Sequence, residues 1–430
     1  MPIEVETLQR SWPVLAWVPL DVRYDDGERA VHQVLVGMAP TAPAEVPAAA
    51  IIGEVPTPDG WAVAYDALWD PQLALAMARL VAPDLSFRSA RQEGGDRTNS
   101  SVVLDDRWSL KVYRRLHEGP NPDVEATVAL GRLGLTTVPV PAAVWRRHDW
   151  DLAAVRRWHP EARSGHAVAN ESIMDLLTTR RPPRESRHDF RAGAEALGRT
   201  VAEVHVGLAE AFGAERCEPD RLVDDLVSRL HGAHPAGVDL DRIEATYRRL
   251  AHGTDLGWMI RVHGDLHLGR VLLTRKGWWV TDFEGEPSRA IEERRRPSSP
   301  LRDVAGMIRS FHYAVELAMS GASPDPAPTG SDEPPEGPRP IDPPGRELAV
   351  LAEAWEERAT NSFLRGYTSV DAVHRLLPEE RLSRDALLTV FELDRAVVEV
   401  ADELAHRPQL AGIPRAAVDR LSDPEHSERW

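Results

Sequence analysis

Hydrophobic and polar residues alternate over the first 65 residues, and turns built on Asp-Gly interrupt the alternation. Because successive side chains of a strand point to opposite faces, this period of two predicts strands over residues 12–24, 30–37, 51–55 and 61–66. From Pro71 to Val81 the hydrophobic spacing becomes helical. Residues 1–88 are therefore predicted to form an N-terminal α/β cap, with strands and one helix.

A second unit is predicted over residues 89–158. The pattern predicts strands over 101–104 and 108–113, a helix over 122–133, and two further strands near Val144 and over 152–155. Leu110 and Val112 flank Lys111 in one of these strands. The alternation therefore directs the lysine to the face opposite those two residues.

Helical spacing dominates the third predicted unit, residues 159–430. It predicts helices over 192–211, 221–230, 240–250, 303–318, 347–367 and 384–406. A strand hairpin between Trp258 and Phe283 interrupts them. Residues from about 321 to 346 are rich in Pro, Asp, Gly and Glu, which predicts an exposed insertion without a core of its own.

Composition and charge narrow the class of partner. A net charge of -17 argues against a general nucleic-acid or anionic-membrane binder. One cysteine, no signal-peptide pattern and no run of about 20 apolar residues together predict a soluble cytoplasmic protein. The sequence makes no prediction about the oligomeric state.

Two aspartates at the ends of the hairpin suggest phosphoryl-transfer chemistry. Asp265 follows His263-Gly264, and Asp282 ends the strand of Trp278, Trp279 and Val280. Such a reaction needs one carboxylate to receive a hydroxyl proton and another to hold magnesium. Each aspartate alone is as easily a turn residue, but the pair favours the chemistry. His263 is interpreted as a structural hydrogen-bonding residue, since the glycines nearby disfavour a zinc-binding helix.

Lys111 adds a candidate phosphate ligand. It is one of two lysines in the chain, the other being Lys276. A strand lysine followed by a helix glutamate, here Glu125, is the arrangement that grips the phosphates of a nucleoside triphosphate. The polar turn at residues 92–100 could cover phosphates with its amides and with Asn99 or Ser100. An ordinary surface lysine and a solvated glutamate are the alternative.

These segments, in order, resemble the actinobacterial maltokinases, on the aminoglycoside-phosphotransferase and choline-kinase side of the kinase-like superfamily. The resemblance covers roughly residues 90–420 and is carried by these segments: 98–103, 110–123, 262–273, 282–287, 294–307 and 391–396. It implies an α+β, bilobal protein-kinase-like (aminoglycoside phosphotransferase) fold with the cap and a mostly helical C-lobe. It also implies ATP, Mg²⁺ and a sugar hydroxyl as acceptor.

The resemblance also implies roles for individual residues. Asp265 matches the catalytic base and Asp282 the magnesium ligand, while Lys111 and Glu125 match the phosphate-binding pair. Arg156 and Trp158 match the hinge beside the adenine. Glu284 and Glu286 match the acidic motif that follows the metal aspartate.

Arg270 departs from the family pattern. It stands five residues after Asp265, where the family has an Asn or Gln that binds metal, and a guanidinium cannot bind magnesium. The expected consequence is a rearranged metal site that uses His267, Glu284 or water, with Arg270 placed to contact phosphate.

The acceptor is predicted to be a small sugar or aminosugar, with glucosamine, converted to its 6-phosphate, as the leading hypothesis. Residues 396–403 lack the tyrosines that the resemblance leads one to expect for maltose. An ammonium group favours a carboxylate-lined pocket, and the late helices offer acidic residues for it: Glu392, Glu399, Asp402 and Glu403. Arg358 and Arg395 are expected to pair with acidic residues of these helices. A maltokinase, an aminoglycoside kinase and a non-catalytic binding module are the alternatives.

Overall fold

The computed structural model describes residues 1–24, 27, 29–58, 60–93, 99–233, 235–252, 255–321 and 346–423. Most of the predicted turn at 92–100 and of the predicted insertion at 321–346 lies outside these residues. The described chain forms two compact units. The first contains Met1–Gly131 and Pro139–Glu161, and the second contains Arg132–Val138 and the described residues from Ala162 onward.

The first unit is built mainly from antiparallel strands. Its elements are β1 (Glu6–Gln9), β2 (Val14–Arg23), β3 (Arg29–Ala39), β4 (Ile51–Thr57), β5 (Gly60–Asp66), α1 (Pro71–Val81), β6 (Ala90–Glu93), β7 (Asn99–Leu104), β8 (Trp108–Tyr113), β9 (Arg115–Leu116), α2 (Pro122–Arg132), β10 (Ala143–Arg147) and β11 (Trp150–Arg157). The strands form two sheets, in the orders β1-β2-β3-β5-β4, with β9 also paired to β3, and β10-β11-β8-β7-β6.

One hydrophobic core joins the two sheets of this unit. Trp17 and Leu35 of the first sheet pack in the same buried cluster as Leu110 of the second and Met77 of α1. The fully buried Gln33 links them further, since its amide nitrogen donates to the carbonyls of residues 113 and 152 at 2.6 and 2.7 Å. Residues on both sides of position 88 thus share a core, and the predicted domain boundary there stays a prediction.

The second unit is mostly helical. Its elements are β12 (Arg163–Ser164), α3 (Gly165–Thr179), α4 (Arg191–Phe212), β13 (Ala214–Arg216), α5 (Pro219–Ala233), α6 (Leu240–Arg248), β14 (Trp258–Ile260), β15 (Val271–Thr274), β16 (Gly277–Val280), α7 (Ile291–Arg294), α8 (Leu301–Ser320), α9 (Arg346–Thr368), α10 (Arg381–His406) and α11 (Gly412–Leu421). The strands form a sheet β12-β15-β16 and a pair β13-β14.

Helices α4 and α9 make the closest helix contact of this unit, and two glycines allow it. A Cβ on Gly198 would lie 2.0 Å from the Phe363 carbonyl oxygen, and a Cβ on Gly366 would lie 1.8 Å from that of Glu195. Such distances are far below van der Waals contact, so neither position tolerates a side chain.

The pattern-based predictions of α1, α2, β7, β8 and the six long helices are confirmed within a few residues. Three of the described helices were missed, α3, α7 and α11. Helix α3 begins with a glycine after the N-cap Ser164, and its Asn, Ser and Thr residues weaken the helical signal. Among the described residues, none of the helices has the length and hydrophobicity needed to cross a membrane.

Candidate active site

The hairpin of β15 and β16 carries the candidate catalytic residues of the second unit. Just beyond the paired residues of the two strands, the backbone N–H of Thr281 donates a hydrogen bond to the Arg270 carbonyl oxygen at 2.9 Å. The backbone turns sharply on both sides, with left-handed φ angles of 81° at Gly264 and 61° at Asp282. This conformation costs a non-glycine residue about 1–2 kcal/mol, so the surrounding structure must hold Asp282 in place.

Asp303, at the start of α8, holds the loop that precedes the hairpin. It is 1% exposed. Its two oxygens accept the N–H groups of His263 and Gly264 at 2.7 and 2.8 Å, and His205 Nε2 lies 3.1 Å from Oδ2. Burial alone would raise the pKa of the Asp303 carboxyl, but His205 and the hydrogen bonds outweigh it and lower that pKa. An anionic carboxylate therefore fixes the backbone immediately before Asp265.

His263 supports the same loop from behind. Its Nδ1 accepts the Asp265 N–H at 3.3 Å, and its Nε2 lies 2.8 Å from the Thr281 carbonyl oxygen. These contacts fit the neutral ring with its proton on Nε2. The predicted structural role of His263 is confirmed.

Asp265 is a buried carboxylate held between two guanidinium groups. It is 7% exposed. Arg395 Nη1 donates to Oδ1 at 2.9 Å and Arg270 Nη2 donates to Oδ2 at 3.1 Å. Burial alone would raise the pKa of Asp265, but Arg395, His267 and Arg270 outweigh it and lower the pKa well below its usual value. The group is therefore ionised at neutral pH.

Arg270 bridges the two predicted catalytic aspartates. Its Nη1 donates to Asp282 Oδ2 at 3.3 Å, while Nη2 and Nε face Asp265. Burial alone would lower the pKa of Arg270, but Asp265, Asp282 and Glu284 raise it above its usual range. The hairpin thus brings three of the predicted acidic residues around one permanent positive charge.

A cavity of about 270 Å³ opens beside Arg395, and Glu399, another partner of this arginine, also lines it. We call it the acidic cavity, and its lining residues are His166, His267, Gly306, Ser310, Tyr313, Leu317, Arg395, Glu399, Asp402, Glu403 and Arg407. Three of the four predicted acceptor-binding carboxylates are therefore brought together. The fourth, Glu392, lies outside the lining, and burial raises its pKa to about 7.

Two carboxylates of the acidic cavity are already neutralised by arginines. Glu399 accepts from Arg309 at 2.7 Å and lies 3.6 Å from Arg395. Glu403 accepts two hydrogen bonds from Arg407, at 2.6 and 3.0 Å. The expected pairing of Arg395 with an acidic residue of the late helices is thus confirmed.

Asp402 differs from its two neighbours. Within the part of the chain that the structure describes, its carboxylate has no ion pair or hydrogen bond, and the residue is exposed. Arg358, which was expected to pair with late-helix acids, instead binds Asp189 at 2.7 and 3.0 Å. That expectation was wrong because α9 directs Arg358 toward the start of α4. Asp402 is left as the carboxylate of the acidic cavity that can take up a new cation.

His267 lies at the boundary between Asp265 and the acidic cavity. Its Nε2 is 3.7 Å from Asp265 Oδ2. Burial lowers the pKa of the His267 ring, although Asp265 opposes this effect. The nearby His166 also lines the cavity, and burial lowers its pKa to about 4. Both rings are therefore neutral at neutral pH, and the cavity wall gains no charge from them.

In the first unit, Lys111 and Arg156 share one buried carboxylate, Asp123. The Lys111 Nζ lies 3.6 Å and the Arg156 Nη1 lies 2.7 Å from its Oδ2. Tyr113 completes the group, because its hydroxyl donates to the same oxygen at 3.3 Å. Glu125, the predicted partner of Lys111, lies two residues further along α2 and is half-buried. The pairing of Lys111 with Glu125 stays a prediction, and Asp123 is a carboxylate that the sequence did not single out.

The other predicted nucleotide-binding residues lie at strand ends of this unit. Asn99 begins β7 and is 6% exposed. Ser100 follows it, and its hydroxyl accepts from Arg114 Nε at 2.9 Å. Trp158 follows β11, and its backbone N–H donates a hydrogen bond to the Arg107 carbonyl oxygen at 2.9 Å. Their roles toward a nucleotide stay predictions.

The sequence did not predict which residues contact and position the predicted site residues. Asp303 and Arg395 lie within motifs that carry the family resemblance, but neither has a sequence feature that predicts its partner. His205 is an isolated histidine on the apolar side of a helix. These contacts join residues between 39 and 130 positions apart, from Gly264 to Asp303 and from Asp265 to Arg395, and periodicity reports on neighbours only.

We expect Asp303→Asn to lower the free energy of unfolding by about 3 kcal/mol at pH 7. An amide has one acceptor oxygen and cannot accept from both loop N–H groups and His205. Because the pKa of Asp303 is lower in the folded state, its carboxylate stabilises the fold above about pH 4. That stability is lost as the pH falls through the folded-state pKa, so the difference between wild type and variant narrows in acid.

Urea unfolding from pH 3 to pH 7 measures this difference. Asp224→Asn, the same change at an exposed position, serves as the control and should leave the curves unchanged. Equal unfolding free energies of wild type and Asp303→Asn at pH 7 would contradict the anchoring role.

Comparison with known proteins places this geometry in context. A glucosamine kinase of Mycolicibacterium smegmatis is 26% identical over 344 residues, which cover 76% of this chain and 78% of the relative. One of Streptacidiphilus jiangxiensis is 25% identical over 350 residues, covering 76% and 72%. No family model matches the chain.

Solved structures extend the similarity to the whole fold. A glucosamine kinase in complex with glucosamine, ADP and inorganic phosphate superposes with a TM-score of 0.63 at 21% identity, covering 98% of this chain and 93% of that one. A second crystal form of a glucosamine kinase gives a TM-score of 0.64. The predicted α+β, kinase-like fold is confirmed, and the chain is similar to glucosamine kinases in sequence over three quarters of its length.

Proposed function

We propose that the protein is an ATP-dependent kinase that transfers the γ-phosphate to glucosamine and forms glucosamine 6-phosphate. The observation that carries this proposal is the buried, ionised Asp265, whose partners Arg395 and His267 line the acidic cavity. The similarity to glucosamine kinases supports the same conclusion. We also propose that the protein is cytoplasmic and that its domain boundaries lie at residues 88 and 158.

Asp265 is suited to orient the acceptor hydroxyl. A hydroxyl at the inner end of the cavity would donate a hydrogen bond to this carboxylate, which directs the hydroxyl oxygen at the γ-phosphorus. As the new phosphorus–oxygen bond forms, the bond to ADP breaks and the hydroxyl proton passes to Asp265. Since the pKa of Asp265 is lowered, the proton then leaves readily to water.

We propose nucleotide-binding residues in the first unit and metal-binding residues in the second. In the first unit Lys111 is proposed to bind phosphate, with Asn99, Ser100, Glu125, Arg156 and Trp158 around the nucleotide. In the second unit Asp282 and Glu284 offer the carboxylate oxygens that Mg²⁺ prefers, so these residues fit the ion. When bound, Mg²⁺ supplies positive charge against the triphosphate. His267, the third predicted metal ligand, is less suited, because Mg²⁺ prefers oxygen and the ring lines the acidic cavity.

Arg270 is proposed to supply one fixed positive charge where the family uses a metal-binding amide. Its guanidinium already contacts Asp265 and Asp282, so it neutralises the two carboxylates in the resting site. A planar guanidinium also donates well to phosphate oxygens. We propose that it contacts the transferred phosphoryl group.

Asp402 is proposed to receive the ammonium group of glucosamine. The other carboxylates of the acidic cavity, Glu399 and Glu403, are bound to arginines and would accept hydrogen bonds from sugar hydroxyls instead. An ammonium placed near Asp402 gains a charge-assisted hydrogen bond. Glucose or maltose offers no cation for this contact.

One observation favours a second candidate, a non-catalytic kinase-like binding module. Arg270 occupies the space between the two catalytic aspartates and could exclude a metal there. The assay that tests the main proposal also tests this alternative.

We expect magnesium-dependent ADP release with glucosamine, and much less with glucose, maltose or kanamycin. Asp265→Asn should lower kcat by a factor of 10² or more, because the amide cannot accept the proton, with unchanged thermal unfolding. A coupled ADP assay measures all four acceptors. Turnover of maltose but not glucosamine would favour a maltokinase, turnover of kanamycin an aminoglycoside kinase, and no turnover the binding module.

We expect Asp402→Asn to raise KM for glucosamine about fivefold to tenfold, the effect of losing one partly exposed charged contact. KM for glucose should change little, since glucose lacks the ammonium group. Steady-state kinetics with both sugars measure the difference, with Glu357→Gln at an exposed position as the charge-matched control. Equal changes in KM for both sugars would remove Asp402 from this role.

We expect Arg270→Gln to strengthen Mn²⁺ binding about tenfold in the presence of ADP. The change removes a positive charge from between Asp265 and Asp282 and adds an amide oxygen that can bind metal. Calorimetry or electron paramagnetic resonance of Mn²⁺ measures the affinity without catalysis. Arg275→Gln, an exposed position in the hairpin turn, is the control, and unchanged affinity in Arg270→Gln would contradict the charge-replacement role.

A further inference from the structure

A second polar cavity, of about 120 Å³, lies in the helical unit apart from the acidic cavity. Arg229 of α5 and Arg302 of α8 line it, together with Arg289 and Arg296 from the segment between β16 and α8. We call it the arginine cavity. Four guanidinium groups therefore reach one small space from three different parts of the chain.

Three of these arginines are half-buried, and two carboxylates lie within ion-pair distance of them. The side chains of Arg229, Arg289 and Arg302 are 21%, 16% and 13% exposed. Arg229 pairs with Asp394 at 2.7 Å and Arg302 pairs with Glu286 at 2.9 Å. Each of the two carboxylates is thus already bound to one arginine, and the third guanidinium has no carboxylate of its own.

Arg289 is this third guanidinium. It shares Glu286 with Arg302, at the longer distance of 3.5 Å. The atom in this contact is its Nε, which is buried and forms no hydrogen bond among the described residues. Burial, together with the positive charges of Arg302 and Arg229, lowers the pKa of Arg289 to about 9. A guanidinium in this position gains stability from any further anion.

The mouth of the arginine cavity has mixed charge. The exposed Arg296 and Asp225 and the half-buried Glu293 line it. Arg289 and Arg302 are less exposed than Arg296, and both lie near Glu286, so an anion that binds between them must be small. The volume suffices for several water molecules or for one tetrahedral oxyanion.

We propose that the arginine cavity binds a phosphate group, either inorganic phosphate or the phosphate of a small phosphomonoester. Arginines that converge from several directions match the tetrahedral oxygens of phosphate, whereas a carboxylate offers two oxygens in one plane. The site is distinct from the nucleotide-binding and acceptor-binding residues of the proposed kinase reaction.

Its inner wall is close to the candidate catalytic loop. Arg229 and Arg302 also line a narrow cavity, whose other lining residues include Glu286, Asp265 and Arg395. A phosphate bound at Arg289 and Arg302 would compete with Glu286 for these arginines. The bound anion would thus change the electrostatic environment of Asp265.

Calorimetric titration of the full chain with inorganic phosphate, at constant ionic strength, tests the proposal. Binding to a single site is expected. Arg289→Gln should weaken it at least tenfold, and Arg289→Lys should retain part of it. Arg381→Gln, whose side chain is 84% exposed, is the charge-matched control and should behave as wild type.

Two results would overturn the proposal. One is phosphate affinity in Arg289→Gln within twofold of wild type, and the other is equal weakening in Arg289→Gln and Arg381→Gln, which would indicate a general charge effect. If Arg289→Gln does not fold, as judged by thermal unfolding, the exposed Arg296→Gln takes its place, with about threefold weaker binding expected and an unchanged affinity counting against the site.

The same titration with glucosamine 6-phosphate identifies the source of the phosphate group. Tighter binding than inorganic phosphate, lost in Arg289→Gln, indicates a phosphomonoester ligand, whereas weaker binding indicates the free ion. Crystals soaked in tungstate supply an independent measurement, since an anomalous peak within hydrogen-bond distance of Arg289 and Arg302 is expected. A peak found only elsewhere would contradict the site. None of these measurements requires kinase activity, so they succeed or fail separately from the proposed function.

Discussion

The candidate active site depends on one buried carboxylate, that of Asp303. Both of its oxygens accept backbone N–H groups of the catalytic loop, and His205 contacts one of them from α4. A buried charge is stable only when it is paired and fully hydrogen-bonded. The loop conformation is therefore the one that satisfies Asp303, and it directs Asp265 away from the helix core and toward its arginine partners.

Charge neutralisation is the second constraint on this unit. Asp265 lies between Arg270 and Arg395, Glu399 is bound by Arg309, and Glu403 is bound by Arg407. Each carboxylate is thus paired with a nearby guanidinium. Asp402 and Arg289 are the two exceptions to this pairing, and a ligand is proposed for each.

At one exception, Asp402 has a carboxylate without a cation among the described residues. At the other, Arg289 has a guanidinium whose carboxylate is shared with Arg302. The first suits an ammonium group and the second suits a phosphate. Both follow from the same argument, because a charge without a counter-ion of its own attracts a ligand of opposite sign.

Local pattern was sufficient for the elements that carry the site. The alternation around Lys111 predicted β8, the helical spacing predicted α8 and α10, and the turn residues between Asp265 and Asp282 predicted the hairpin. These features depend on neighbours in sequence, whose geometry follows from the periods of strands and helices. Motif order added the kinase-like fold, which the comparison with solved structures confirms.

The pairing partners of those residues could not be predicted from local sequence pattern. Lys111 was matched with Glu125, a pairing that stays a prediction, and the sequence did not single out Asp123, whose carboxylate lies 3.6 Å from the lysine. Arg358 was expected among the late-helix acids but binds Asp189. The sequence by itself determined most of the strands and helices and pointed to candidate residues for the chemistry. Only the tertiary structure decided which charges meet, because those pairs join distant segments whose approach is set by packing.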